Sequence, residues 1–103
     1  MGEVVNMSNV LNPMEIEAAL KGLPGWAHKN DALVKQFEFS SFREAMSFMV
    51  RVAFEAESMN HHPEWTNVYD TVTVRLTTHH AGDKVTTNDV ELAQRFEKIN
   101  WVG

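Results

Sequence analysis

Four of the five histidines in this 103-residue chain form two adjacent pairs, His61-His62 and His79-His80. Histidine is the side chain whose ordinary pKa, about 6.5, allows it to give and take protons near neutral pH. Adjacent histidines suit a hydrophobic core poorly, because each buried ring would need partners for a donor and an acceptor. The two pairs therefore predict a site, and acid–base chemistry is the first chemistry to consider.

Two other interpretations of the pairs compete with acid–base chemistry. A single exposed histidine is often incidental in a surface loop, but coincidence at both ends of one strand segment argues against this. Neutral imidazole also binds transition metals, yet metal ligands on regular elements usually recur at i, i+4 spacing. Adjacent side chains on an extended backbone point to opposite faces, so a His-His pair seldom supplies two ligands. The sequence thus favours proton transfer without a metal.

Composition limits the class of protein. The length fits one domain, and we expect a loose arm over residues 1–11 followed by a domain over residues 12–103. There is no cysteine, which excludes disulfides, thiolate nucleophiles and Cys-ligated zinc. A formal net charge of −5, with the basic residues scattered, argues against direct binding to nucleic acids or anionic membranes. With no apolar stretch near the roughly 20 residues that span a bilayer and no secretory signal, we expect a soluble, cytoplasmic protein.

The first part of the chain predicts a helix and a hairpin. Asn12 can cap a helix that begins at Pro13, and glycines with a proline near residue 24 end it. Residues 26–29 and 32–39 are typical of two strands joined across a turn at 30–31. Leu33, Phe37 and Phe39 would share one face of the second strand, although Lys35 breaks the alternation.

A long helix follows, from a capping box at Ser41–Glu44 to about Glu57. Pro63 makes a continued helix unfavourable, so His61-His62-Pro63 should form the junction that leaves it. The apolar positions with helical spacing are Phe42, Ala45, Met46, Met49, Val52, Ala53 and Ala56. Phe48, Val50 and Phe54 lie outside this main stripe and are expected to be core or homo-oligomer interface.

Residues 67–78 are strand-like, with a turn near Tyr69-Asp70 that divides them, and Val68, Val72, Val74 and Leu76 would share one face. Residues 79–83 form a loop, and Thr86 with Asp89 marks the start of the last helix. The resulting order, α-β-β-α-β-β-α, predicts an α+β domain. In it a four-stranded antiparallel sheet carries three helices on one face.

Three further residues could support the histidines, and each has a structural alternative. Glu57 could orient an imidazole or solvate the helix end. Trp65 could stack on a flat ligand or belong to the core, which is the more common position for an aromatic flanking a strand. Asp89 could reach the site from the last helix or only cap it.

These residues together resemble the pterin-4a-carbinolamine dehydratase family, also known as the dimerisation cofactor of a hepatocyte homeodomain transcription factor. The resemblance covers nearly the whole chain, and its most specific part is a Glu-xxx-His-His-Pro block with a downstream Thr-His. The matching positions are Glu57, His61-His62-Pro63-Glu64-Trp65, Asn67-Val68-Tyr69, Thr78-His79, Thr86 and Asp89.

The resemblance implies a lyase without a cofactor or metal that dehydrates a 4a-hydroxytetrahydropterin in tetrahydrobiopterin recycling. By that similarity His61 and His79 transfer protons, while His62 binds and positions the pterin and completes the catalytic set. Further substrate contacts would come from Pro63 and the segment Thr78, His79, His80 and Ala81. A flat heterocycle also suits an aromatic wall, supplied by Trp26 or Trp65.

The resemblance also implies partners. We expect a homodimer or homotetramer, and the alternative function is a non-catalytic binding module that acts as a transcriptional cofactor through a helix face, in part in the nucleus. This chain departs from its relatives at three places near the pocket. His80 stands where relatives usually have an acid, Asn60 stands where Asp is common, and Asp83-Lys84 lengthen the loop by one residue.

Overall fold

The computed structural model describes residues 9–100. Its main elements are α1 (Pro13–Leu20), β1 (Ala27–Lys29), β2 (Ala32–Glu38), α2 (Phe42–Met59), β3 (Glu64–Val68), β4 (Thr71–Leu76) and α3 (Thr87–Ile99), with a short 3-10 turn at His79–Ala81. The predicted α+β order is confirmed. None of the described helices is long and apolar enough to cross a membrane.

The four strands form one antiparallel sheet in the order β1-β2-β4-β3. Leu33 lies opposite Leu76 and Phe37 opposite Val72 across the two central strands, so their side chains enter the core from neighbouring strands. β3 pairs with β4 on the outer side, where Trp65 lies opposite Val74. The predicted hairpin across residues 30–31 is present, and Asn30 and Asp31 both adopt positive φ, 49° and 61°, which favours Asn and Asp over bulkier residues.

An aromatic cluster occupies the space between the sheet and the helices. Phe48 of α2 lies 4.9 Å from Phe37 of β2 and 5.7 Å from Phe96 of α3, measured between ring centroids. Trp26 meets Phe37 and Phe96 edge to face at 5.9 and 5.8 Å, a favourable aromatic geometry. Ile16 brings α1 into the same core. This cluster fixes α2 and α3 against the sheet and thereby sets the positions of their ends.

The cap of α2 differs in one detail from the predicted capping box. The Ser41 hydroxyl accepts from the Glu44 backbone N–H, as expected. The Glu44 carboxylate, however, accepts from the backbone N–H and the hydroxyl of Ser40, at 3.0 and 2.6 Å, instead of from Ser41. These two hydrogen bonds hold the pKa of Glu44 below its ordinary value. At its other end α2 extends to Met59, two residues beyond the predicted end.

The predicted stripe of α2 was partly wrong. The buried residues are Ala45, Phe48, Val52 and Ala56. Phe48 thus belongs to the core, whereas Phe42 and Ala53 are exposed. A helix with apolar residues on two sides offers two stripes, and tertiary packing decides which one is buried. Here the aromatic side chains of the sheet accept Phe48.

Val68 was also placed on the wrong face, since 74% of it is exposed. The turn at Tyr69-Asp70 separates β3 from β4, so the alternation restarts after it. In β4 the predicted set Val72, Val74 and Leu76 is fully buried. In β3 the half-buried positions are Trp65 and Asn67.

Lys35, the residue that breaks the alternation of β2, reaches the Glu97 carboxylate of α3 at 2.6 Å. Its Nζ atom also lies 4.6 Å from the centre of the Phe37 ring, a cation–π distance. The irregular position is therefore a link between the sheet and α3.

Most of the predicted arm over residues 1–11 lies outside the described residues. Its last part pairs with the segment that leads into α3: Val10 forms an antiparallel bridge with Thr86, and the Leu11 N–H donates to the Val85 carbonyl at 3.0 Å.

Candidate active site

A buried carboxylate, Asp89, lies at the centre of the site. It is fully buried in the first turn of α3. Its Oδ1 atom is 2.6 Å from Nε2 of His61. Its Oδ2 atom accepts from the Thr86 backbone N–H and from the Thr78 hydroxyl, both at 2.8 Å. Asp89 therefore both caps α3 and contacts the histidine, so the two roles left open by the sequence coincide.

The donor and acceptor roles of the two threonine hydroxyls near Asp89 can be assigned. Thr78 and Thr86 lie 2.7 Å apart through their Oγ1 atoms. A threonine hydroxyl has one hydrogen to donate, and that of Thr78 is donated to Asp89. The Thr86 hydroxyl must then donate to Thr78, while it accepts from the Asn88 N–H at 3.2 Å. This chain of donors ends on Oδ2 of Asp89.

The tautomer of His61 follows from these contacts. An ionised carboxylate only accepts hydrogen bonds, so Nε2 of His61 carries the hydrogen that points at Asp89. The second nitrogen, Nδ1, takes no part in this contact. The ring is nearly buried, with 10% of its side chain exposed. The pair resembles the carboxylate–histidine arrangement that orients a general base in hydrolases.

The local backbone explains how His61 reaches this position. α2 ends at Asn60, whose φ of 53° is left-handed, a conformation that Asn tolerates better than most residues. The His61 backbone N–H then donates to the Ala56 carbonyl at 3.1 Å. Pro63 follows two residues later and favours extended chain before it. Asn60 is thus the C-cap of α2.

Asp89 also brings the two histidine pairs to one region. His61 directly precedes His62, and Thr78 directly precedes His79. Since His61 and Thr78 both contact the same carboxylate, the end of α2 and the end of β4 meet there.

His62 lies at the surface beside Glu57. Its Nε2 atom is 2.8 Å from Oε1 of Glu57, and the side chains are 58% and 78% exposed. Glu57 therefore orients an imidazole, but that of His62 and not that of His61. An exposed pair of this kind contributes little to stability. Its exposure leaves both side chains accessible to a ligand.

His79 and His80 lie in the 3-10 turn and are exposed. Nδ1 of His79 is 2.6 Å from Oδ1 of Asp83, and 89% of the His79 side chain is exposed. Ala81, predicted as a substrate contact, is buried with 3% exposed, because the turn folds it inward. Its small side chain thus supports the loop from beneath.

The two tryptophans considered as an aromatic wall for a ligand lie in different environments. Trp26 is buried, and its indole N–H donates to Glu97 at 2.8 Å, so it does not face a ligand. Trp65 packs edge to face on Phe96 at 6.0 Å, which fits the core interpretation. It also borders a cleft of about 540 Å³, lined by Pro63, Glu64, Trp65, Thr66, Thr73 and Arg75.

A larger cleft, of about 650 Å³, lies elsewhere and includes side chains of α1, α2 and α3 such as Ala19, Glu55 and Gln94. Among the described residues, no histidine lines it. Its charged lining residues are Glu55, Glu91, Arg95 and Lys98, and Arg95 is held by Glu55 and Glu91. Within residues 9–100, no cluster of three or more His, Asp or Glu side chains is arranged to hold a metal ion.

The Thr86 cap on Asp89 was predicted and is present, whereas the contact of Thr78 with Asp89 and that of Asp83 with His79 were not anticipated from the sequence. The Thr-xx-Asp spacing indicated a cap, but a cap alone does not reveal that the second carboxylate oxygen contacts His61. The site as a whole can take and release protons at several imidazoles, three of which have carboxylate partners.

Comparisons with known proteins find similar chains. The family model described as pterin 4 alpha carbinolamine dehydratase matches residues 9–99. A protein of Opitutus terrae is 66% identical over 97 residues, which is 94% of this chain and 100% of the relative. One of Prochlorococcus marinus is 42% identical over 94 residues, covering 91% and 97% of the two chains. The names of both assign them to pterin-4-alpha-carbinolamine dehydratase.

A solved structure is also similar. The crystal structure of a transcriptional coactivator/pterin dehydratase from Brucella melitensis has a TM-score of 0.85 and 37% sequence identity. The similarity covers 92% of this chain and 100% of that chain.

Proposed function

The chain belongs to the pterin-4-alpha-carbinolamine dehydratase family, and from this premise we propose that it dehydrates a 4a-hydroxytetrahydropterin by histidine acid–base catalysis. The products are a quinonoid dihydropterin and water, and the reaction serves tetrahydrobiopterin recycling. One observation carries the proposal: the carboxylate of Asp89 joins the segments that hold both histidine pairs.

The reaction requires two proton transfers. An acid protonates the 4a-hydroxyl, the C4a–O bond breaks and water leaves. The electrons of N5 form the C4a=N5 double bond, and a base takes the proton from N5. Imidazoles suit both steps near neutral pH, and we assign them to His61 and His79.

The surroundings of His61 support its role. The Asp89 carboxylate fixes the ring and stabilises the imidazolium that forms when Nδ1 takes a proton. His79 is exposed and follows Thr78 directly, so it can approach a pterin bound over the same region.

His62 completes the catalytic set as the residue that binds and positions the pterin. Its contact with Glu57 holds the ring at the surface. The cleft that begins at Pro63, the residue that follows His62 in the chain, offers space for part of the substrate. Thr78, His79 and His80 form the opposite border of the proposed pterin site.

The direct test is an absorbance assay of 4a-carbinolamine breakdown with and without the protein. The purified protein should accelerate the loss of the carbinolamine in proportion to its concentration, and treatment with a chelator should leave the rate unchanged. A rate equal to the uncatalysed one at every protein concentration would refute the dehydratase proposal.

A second feature favours self-association. On the side of α2 away from the core, apolar side chains recur every four residues from Phe42 to Phe54. Phe42, Val50 and Phe54 are 50%, 55% and 72% exposed. A continuous exposed apolar row on a helix usually marks an interaction surface. We propose that a second copy of the chain covers this row in a homodimer or homotetramer.

The double substitution Val50→Glu with Phe54→Glu should convert the oligomer to a monomer, because the apolar row would carry charges that repel across the interface. Light scattering after size exclusion measures the mass directly. Lys21→Glu, an exposed change at the end of α1 with the same effect on net charge, should keep the oligomer.

A monomeric unsubstituted protein would contradict self-association through α2. It would favour the alternative in which another protein docks on the row, a role consistent with the description of the Brucella protein as a transcriptional coactivator.

A further inference from the structure

The loop after β4 is closed on itself by backbone hydrogen bonds. The Thr78 N–H donates to the Lys84 carbonyl at 2.9 Å, and the Asp83 N–H donates to the Thr78 carbonyl at 3.0 Å. Gly82 and Asp83 both have left-handed φ, 78° and 60°. Two successive residues in this conformation turn the chain back sharply, so residue 83 returns toward the 3-10 turn.

The returning residue contacts a proposed catalytic group. Oδ1 of Asp83 lies 2.6 Å from Nδ1 of His79. On its other side the loop is attached to the β1–β2 hairpin, where Nζ of Lys84 is 3.3 Å from Oδ2 of Asp31.

We propose that Asp83 is a positioning residue that holds His79 in the tautomer with its hydrogen on Nδ1 and thereby presents Nε2 to the pterin. A carboxylate can only accept from an imidazole, and the nitrogen engaged in that hydrogen bond cannot be the one that reacts. The role in catalysis rests on the proposed dehydratase function; the tautomer does not.

The two proposed catalytic imidazoles then use different nitrogens. His61 contacts Asp89 through Nε2 and is left with Nδ1, whereas His79 contacts Asp83 through Nδ1 and is left with Nε2. The two environments also differ, since Asp89 is fully buried and the side chain of Asp83 is 60% exposed. Water screens the exposed pair. Asp83 should therefore fix the tautomer of His79 while having only a modest effect on the reaction rate.

The test is the tautomer of His79 in the free protein, read from the ¹⁵N chemical shifts of its ring at a pH of about 8.5, where ordinary imidazoles are neutral. The unsubstituted protein should show mainly the Nδ1–H form. Asp83→Gly keeps the left-handed backbone without strain and should shift the population toward Nε2–H. Lys84→Ala, in the same loop, should leave the His79 tautomer unchanged.

The kinetic effect should appear in kcat and not in KM. Asp83→Gly should lower kcat about fivefold, in the range of an exposed charge pair, with KM for the pterin retained. An unchanged tautomer in Asp83→Gly would overturn the role of Asp83. Absent dehydration in the unsubstituted protein, with the tautomer shift present, would overturn only the proposed function.

Discussion

Alanine in place of His79 should slow carbinolamine dehydration by about a hundredfold or more, the usual size of a general acid–base contribution. The side chain of His79 is 89% exposed, so its removal should leave the folded structure intact and the loss should be in kcat. Steady-state absorbance kinetics, with thermal unfolding as the folding check, measure both quantities. Added imidazole should restore part of the rate, because it can occupy the vacated position and carry the proton.

His28→Ala is the matched control, since His28 is an exposed histidine on β1 outside the proposed site. It should retain full activity. His61→Ala should show a loss as large as that of His79→Ala, accompanied by a lower unfolding temperature because Asp89 loses a partner. If His79→Ala and His61→Ala both worked at the unsubstituted rate, the histidine mechanism would be wrong.

The fold was predictable because its signals are local. The capped start at Asn12 and the Thr-xx-Asp start of α3 depend on residues three positions apart, and both capping boxes are present. The hairpin at 30–31 depends on two residues that tolerate positive φ. Signals of this kind are legible in one sequence because the interacting groups are neighbours in the chain.

The buried face of α2 could not be predicted from neighbouring residues in the chain. Phe42 and Phe48 are equally apolar, and only the position of Phe37 and Phe96 in the folded core decides that Phe48 is buried. Val68 was misplaced for a related reason, since a turn of two residues resets which side chains face inward. The first error concerns packing between elements that are far apart in sequence, and the second concerns a short turn between neighbouring strands.

In the candidate site, too, local features were predictable and long-range contacts were not. The histidine pairs were visible as residue types, and Asp89 was visible as a cap. Glu57 was visible as a residue that could orient an imidazole, but the pairing of Asp89 with His61 was not, because these two residues are 28 residues apart in the chain. Contacts over such separations arise from the topology that brings the ends of α2, β4 and α3 together. The proposed assignments of reactive nitrogens therefore depend on the structure.

Removal of the Asp89 carboxylate should damage stability and activity together. Asp89→Ala leaves the buried Thr86 N–H, the Thr78 hydroxyl and Nε2 of His61 without their acceptor. Loss of a buried cap and of a charged hydrogen-bond partner should lower the free energy of unfolding by about 3 kcal/mol. Urea denaturation measures this loss, and kcat should fall about a hundredfold as His61 loses its orientation.

Asp89→Asn separates the two roles of this carboxylate. The amide keeps an oxygen for the Thr86 N–H and the Thr78 hydroxyl, so the cap should largely survive. Its NH₂ group then faces Nε2 of His61 and donates to it, which moves the imidazole hydrogen to Nδ1, the nitrogen assigned to the pterin. Asp89→Asn should therefore be more stable than Asp89→Ala yet still poorly active. Glu91→Gln, an exposed carboxylate-to-amide change on the same helix, should alter neither property appreciably. Full activity in Asp89→Asn would show that Asp89 only caps α3, and the tautomer assigned to His61 would have to be abandoned.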